Sequence, residues 1–257
     1  MKFLNNICFE NYFSSLGINI QTAYNAIKDK EWTVGNYNTY TATSVISSLK
    51  IEGEKLEVED YLKHKLERAE YPAELLVKPN DLFAAYEFAS DNKLTISNFL
   101  KAHGIAMAHA LPAAKRGKIR TGNMSVVDPQ TKEVRYKAAG STLVKPEFET
   151  FWKELAIRIY KPIGIDKVFY YAALIHLVFV NIHPFEDGNG RAARLLEKWF
   201  LASKLGAKAW FINSEKFYYD NMQEYFDNLA QVGASYNELD YHNSTPFLVM
   251  LANSLVI

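Results

Sequence analysis

The residues best suited to chemistry in this 257-residue chain lie in one short run, Ile182-His183-Pro184-Phe185-Glu186-Asp187-Gly188-Asn189-Gly190-Arg191-Ala192-Ala193-Arg194. Two glycines flanking an amide, ahead of an amphipathic segment, describe a turn that opens a helix. The first N–H groups of such a helix point outward and favour an anion. Arg191 and Arg194 stand three apart and share a helix face, and two guanidinium groups there suit a polyphosphate. Asp187, just before the glycines, could hold magnesium, which takes one or two carboxylates and fills its shell with phosphate oxygens. His183 would stand beside that phosphate as a general base. Each residue alone has an ordinary role open to it: a cap for the histidine, a plain turn for the glycines, surface ion pairs for the arginines. Together they supply every part of a magnesium–nucleotide site with an adjacent base.

The elements that must position this run read as helices. Lys167 to Val180 is apolar nearly all round, which suggests the buried centre of a helical domain, with Asp166 as its cap. His176 on it reads as a satisfied core histidine. Downstream, Leu195 to Leu205 is amphipathic and stops near Gly206. Pro146 to Tyr160 turns Phe148, Phe151, Trp152, Leu155 and Ile159 inward. Earlier helices are expected over Thr22–Lys30, Thr43–Ile51, Glu57–Glu70 (stripe Val58, Leu62, Leu66), Asn80–Ser90 with Asn80 as cap, and Ile96–Leu111. Later ones are expected over Asn213–Val232 and Thr245–Leu255. Residues 1–40 show no clear period despite Trp32, Tyr37 and Tyr40. His103 and His109 lack the spacing of a metal pair. Lys118 to Ala139 changes period: Val126 and Val127, then Val134 and Tyr136, bracket Asp128-Pro129-Gln130-Thr131, a strand–turn–strand signal. Gly53 closes the Thr43–Ile51 helix, which leaves Glu52 in a last turn where the macrodipole disfavours a carboxylate by about 0.3–1 kcal/mol. That acid needs solvent or a cationic partner.

Lys+Arg and Asp+Glu both number 29, so the formal net charge is zero, which argues against a general nucleic-acid binder. The basic cluster Lys115-Arg116-Gly117-Lys118-Ile119-Arg120 reads as a solvated loop. Cys8 is the single cysteine, which excludes an intrachain disulfide and a thiolate zinc site. The N-terminus lacks a secretory apolar core, and the longest apolar run, Ala172 to Val180, is too short to span a bilayer. The cytoplasm is the expected compartment, with no membrane or nucleic-acid partner.

The central run resembles the Fic-domain motif, H-x-F-x-[D/E]-G-N-G-R-x-x-R, at every specified position. The resemblance covers roughly residues 80–235. It implies a mostly α, Fic-type helical bundle with one short β-hairpin flap, and transfer of AMP from ATP to a Tyr, Ser or Thr hydroxyl of a target protein. It makes His183 the base, Phe185 the core anchor of the loop, Asp187 the magnesium ligand, and Gly188, Asn189 and Gly190 the anion cradle. Arg191 and Arg194 become the ATP phosphate clamps, Arg194 nearest the γ-phosphate. Ser48-Leu49-Lys50-Ile51-Glu52-Gly53 is similar to the family's inhibitory motif, [S/T]-x-x-x-E-[G/N], in which the glutamate pairs with the second motif arginine, here Arg194. Residues 1–80 would then form an N-terminal region carrying the inhibitory helix (about 43–53), and residues 81–257 the catalytic domain. The hairpin near 118–139 would be the flap on which a target segment docks by strand addition. Tyr218, Tyr219 and Asn228 are candidates for the adenine wall, with core packing the commoner role for each. A homodimer is a common family arrangement. Removal of AMP with Glu52 orienting a water, and a nucleotide-sensing module without transfer, stand as alternatives.

Overall fold

The computed structural model describes residues 2–28, 30–31, 33–128 and 131–256. Within them run α1 (Phe9–Ser14), α2 (Ile20–Lys28), α3 (Val34–Ile51), α4 (Val58–Glu67), α5 (Ala73–Asp91) and α6 (Ile96–Ala106). Strands β1 (Ser125–Val127) and β2 (Val134–Lys137) follow. Then come α7 (Val144–Tyr160), α8 (Ile165–Ile182), α9 (Asn189–Leu205), α10 (Ser214–Asp220), α11 (Met222–Ala230) and α12 (Thr245–Asn253). The fold is mostly helical, as expected.

Helix α8 is the axis of the bundle. All but four of its 18 residues are buried, and α7, α9 and α12 pack around it. Longer than the apolar run alone implies, it is long and apolar enough to cross a membrane by length and composition, with 78% of it buried inside the protein. Gly164, not Asp166, is its N-cap; Asp166 lies in the first turn, where a carboxylate favours the dipole.

Helix α3 departs furthest from expectation. It starts at Val34 rather than Thr43, with the Thr33 hydroxyl accepting from Asn36 N. Its buried face includes Thr41, Ser44, Ser47 and Ser48 beside Val45, Ile46 and Leu49, so apolar periodicity reveals only part of it. Trp32 lies outside the described residues. Helix α5 starts at Ala73 and carries Pro79 inside it; Asn80 is no cap, and its Oδ1 accepts from Tyr61 OH. On α4, Leu66 is exposed and Tyr61 is the buried residue. Helix α6 stops at Ala106, with Met107 as C-cap, and Ile96 faces solvent. The stretch Asn213–Val232 is two helices, broken at Asn221.

The hairpin pairs antiparallel in the register Ser125↔Lys137, Val126↔Tyr136, Val127↔Val134. Thr131 N donates to Asp128 Oδ1 (2.8 Å), while Pro129 and Gln130 of the expected turn lie outside the described residues. Lys137 N donates to Ala234 O (3.0 Å), which ties the outer edge of β2 to the segment after α11. The outer edge of β1 has no strand neighbour among the described residues.

Candidate active site

The turn between α8 and α9 carries the expected residues, and each is held by a specific contact. His183 caps α8 in the left-handed region (φ 54°, ψ 59°), its N–H donating to Phe179 O. Such a conformation costs a non-glycine residue about 1–3 kcal/mol, so neighbours must hold it. Its Nδ1 lies 3.1 Å from Val180 O. A carbonyl can only accept, so Nδ1 carries the proton and Nε2 keeps its lone pair. Burial lowers the imidazole pKa to about 4, which leaves the ring neutral, with its Nε2 lone pair free, at pH 7.

Phe185 is fully buried and stacks on the His103 ring with centroids 3.7 Å apart. Asn189 braces the turn reciprocally: Oδ1 accepts from Phe185 N and Nδ2 donates to Phe185 O, both at 2.8 Å. The Asp187 carboxylate is half exposed, and its Oδ1 accepts from Gly188 N and from Arg191 NH2 (3.2 Å). Oδ2 has no partner among the described residues. One carboxylate with a free oxygen at a helix N-terminus fits magnesium whose other ligands come from phosphate and water. Among the described residues no group of three His, Cys, Asp or Glu side chains clusters as a metal cage. Arg191 is buried, and its Nε has no partner. Gly188 has φ 77°, and a Cβ there would sit 2.5 Å from Met107 Sδ, so this turn requires glycine.

Arg194 is 1% exposed and faces α3, not solvent. Its Nε donates to Ser48 Oγ (2.8 Å), and NH2 to Ser48 O (3.0 Å) and Glu52 Oε1 (2.7 Å). Burial acts to lower its pKa, but Tyr225 and Glu52 outweigh that and the net shift is upward, so the charge is secure. A Cβ on Gly190 would meet Glu52 Oε1 at 2.6 Å, so the carboxylate lies directly over the first turn of α9. The solvent or cationic partner that Glu52 needs is thus Arg194, and Gly53 (φ 94°) turns the chain away just after it.

A buried polar chain runs on behind Arg194. NH1 donates to Tyr225 OH (3.4 Å), which lies 3.0 Å from His176 Nε2, and His176 Nδ1 meets Glu197 Oε2 at 2.9 Å. One turn further along α9, buried Lys198 donates to Glu215 (2.5 Å) and to Ser44 Oγ. Ser44, Ser48 and Glu52 on α3 therefore meet Lys198 and Arg194 on α9, in antiparallel steps of four.

Of the adenine-wall candidates, Tyr218 is buried with its OH on Glu197, and Asn228 is buried against Met250. Tyr219 is half-buried, with Lys50 over its ring at 5.0 Å. Sequence reasoning missed Tyr225, His103 and Arg120. His103 is no bystander: Nε2 donates to Asp187 O (3.0 Å) and Nδ1 accepts from Gly117 N (2.9 Å). Arg120 is not part of a solvated loop; it is 3% exposed and donates to backbone carbonyls, His183 O among them (2.7 Å). A basic cluster looks the same in sequence whether its members are solvated or buried.

A model of the Fic/DOC family matches residues 93–201, which take in the turn, α8 and most of α9. The chain carries a Fic domain. That Fic domain is similar to proteins called Protein adenylyltransferase Fic. The one from Nematostella vectensis is 33% identical over 108 residues, 40% of this chain and 22% of the relative. The one from Drosophila erecta is 32% identical over 107 residues, 40% of this chain and 19% of the relative. The matches thus span about a fifth of the length of these relatives. In fold the chain resembles a Fic family protein from Desulfovibrio desulfuricans, with TM-score 0.75 and 21% identity over 97% of this chain and 72% of that one. It also resembles a Fic domain containing signaling protein from Bacteroides thetaiotaomicron, with TM-score 0.70 and 19% identity over 93% of this chain and 95% of that one.

Proposed function

We propose that this Fic domain transfers AMP from ATP to a hydroxyl of a target protein, and that Glu52 restrains it. The observation that carries the reading is the Glu52–Arg194 contact above the first turn of α9. A carboxylate there takes the place that the free N–H groups and the Arg194 guanidinium would offer a terminal phosphate. With Glu52 displaced, ATP would lie with its phosphates along Gly188–Arg191 and its γ-phosphate on Arg194. Magnesium, held by Asp187 Oδ2 and phosphate oxygens, would neutralise the departing charge. The target hydroxyl oxygen then attacks the α-phosphorus, its proton passes to His183 Nε2, and the bond to the β-phosphate bridge breaks to release pyrophosphate. The target segment would dock on the hairpin by adding a strand to its free edge. The names of the relatives agree with this chemistry.

Labelled ATP with magnesium tests the reading. Glu52→Gly should self-label at least about tenfold more than wild type, the change that roughly 1.4 kcal/mol of relieved competition supplies. Glu52→Gly combined with His183→Ala should be silent. A Glu52→Gly variant as quiet as wild type sinks the restraint, and equal labelling without His183 sinks the base.

One observation favours a second activity at the same centre. Glu52 uses only Oε1 toward Arg194, and its other oxygen is unengaged and close enough to solvent to orient a water. Free AMP released from a modified target by wild type but not by Glu52→Gly would establish it.

A further inference from the structure

Arg120 takes no direct part in the proposed transfer, yet it is 3% exposed and its guanidinium is directed at main-chain carbonyls. Each nitrogen of its guanidinium is committed to main-chain carbonyls. Nε donates to His183 O (2.7 Å), NH1 to Gly122 O, and NH2 to Ala139 O (2.5 Å) and Ile182 O (3.4 Å). Its own N–H donates to Pro184 O (2.9 Å). Among the described residues no carboxylate hydrogen-bonds the guanidinium; Glu186 favours its charge from a distance, and its direct partners are carbonyl dipoles. Arrangements of this kind are costly unless every donor is directed.

The carbonyls belong to two structures. Gly122 and Ala139 are the two feet of the hairpin, while Ile182, His183 and Pro184 are the main chain around the left-handed histidine. The planar fork spans them as no other side chain can, since a lysine offers three donors from a single point. A second tie runs in parallel from Tyr136 OH on β2 to Asn181 O (2.8 Å). We propose that Arg120 is a positioning residue that joins the feet of the hairpin to the backbone of His183 and so fixes where a docked target segment lies relative to the base. The role assigned to His183 rests on the proposed transfer; the mechanical joint between hairpin and loop does not.

Two measurements on the full chain keep these separate. By amide hydrogen exchange, Arg120→Gln and Arg120→Lys should speed exchange in 121–139 and in 183–188 together, while α3 and α9 keep their protection. Deprotection of one segment without the other, or of neither, overturns the joint. In the Glu52→Gly background, Arg120→Gln should lower kcat for transfer to protein by about 100-fold, with the KM for ATP changed less than about threefold, since misplacing reacting groups by an ångström costs that much. Arg120→Lys should regain only a minor part of the loss. Full recovery with lysine would mean that charge alone matters, and a rise in ATP KM matching the loss would place Arg120 in nucleotide binding; either overturns the assignment. Should Arg120→Gln fail to fold, Arg120→Lys carries both measurements. Should Glu52→Gly not label at all, the transfer reading falls while exchange still decides the joint.

Discussion

The site is walled by two regions of opposite character. On one side, α3 lies along α9 with Ser44, Ser48 and Glu52 engaged by Lys198 and Arg194, and everything but Glu52 is buried. On the other, β1 and β2 form a short hairpin whose Val127 and Val134 are exposed, held at its feet by Arg120 and by Tyr136. Arg194, the arginine proposed to hold a terminal phosphate, therefore sits in a buried seam already ordered by Ser48 and Glu52. The hairpin, the segment proposed to receive a target, leaves the outer edge of β1 without a strand neighbour among the described residues. The difference suits the roles proposed for each: charge stabilisation needs preorganised dipoles, whereas strand addition needs a free edge. It also constrains how the proposed restraint would be relieved. Helix α3 is part of the core, so under that proposal freeing Arg194 would be a matter of the Glu52 side chain and the last turn, not removal of the helix.

The contrast can be broken by substitution. The largest effect is expected at the seam: Lys198→Ala leaves Glu215 buried without its cation and should cost about 3–5 kcal/mol in urea unfolding. A loss below about 1 kcal/mol would mean that the seam is looser than its contacts indicate. Next comes pH. His103 braces the motif loop, and burial lowers its pKa from 6.5 to about 4. Between those values the unfolded chain binds a proton that the folded chain does not. Stability from this group is therefore complete above pH 6.5, falls as pH drops toward 4 and levels off below, with a slope up to about 1.4 kcal/mol per pH unit. Urea midpoints at pH 7, 6 and 5 read it, and His103→Gln should flatten the curve; an unchanged slope would remove His103 as its source. The smallest effect belongs to the hairpin: Val134→Thr, on an exposed strand position, should change stability by less than about 0.5 kcal/mol. A cost near that of Lys198→Ala would erase the distinction between the two walls.

The bundle was largely legible in the sequence because a long apolar stripe at helical spacing leaves water only as one face of a packed helix, as in α7, α8 and α9. The start of α3 was not, because before Thr43 it buries only Tyr37, Thr41 and Ala42, which form no apolar stripe. Asn221 splits α10 from α11 without a glycine or proline to announce it. The burial of Arg120 within a basic cluster was equally hidden, because composition gives no information about which carbonyls lie nearby.

The order of base, carboxylate, glycines and arginines was set by the chain itself, since residues within one turn and the start of one helix are neighbours by covalent geometry. Tertiary structure alone decided the rest. Ser48 and Glu52 reach Arg194 across 146 and 142 residues, and Arg120 reaches His183 across 63. Local periodicity says which face turns inward, but a buried charge is satisfied only when crossing helices and loops bring its partners to hydrogen-bond distance, and that is settled by the packing of the whole core.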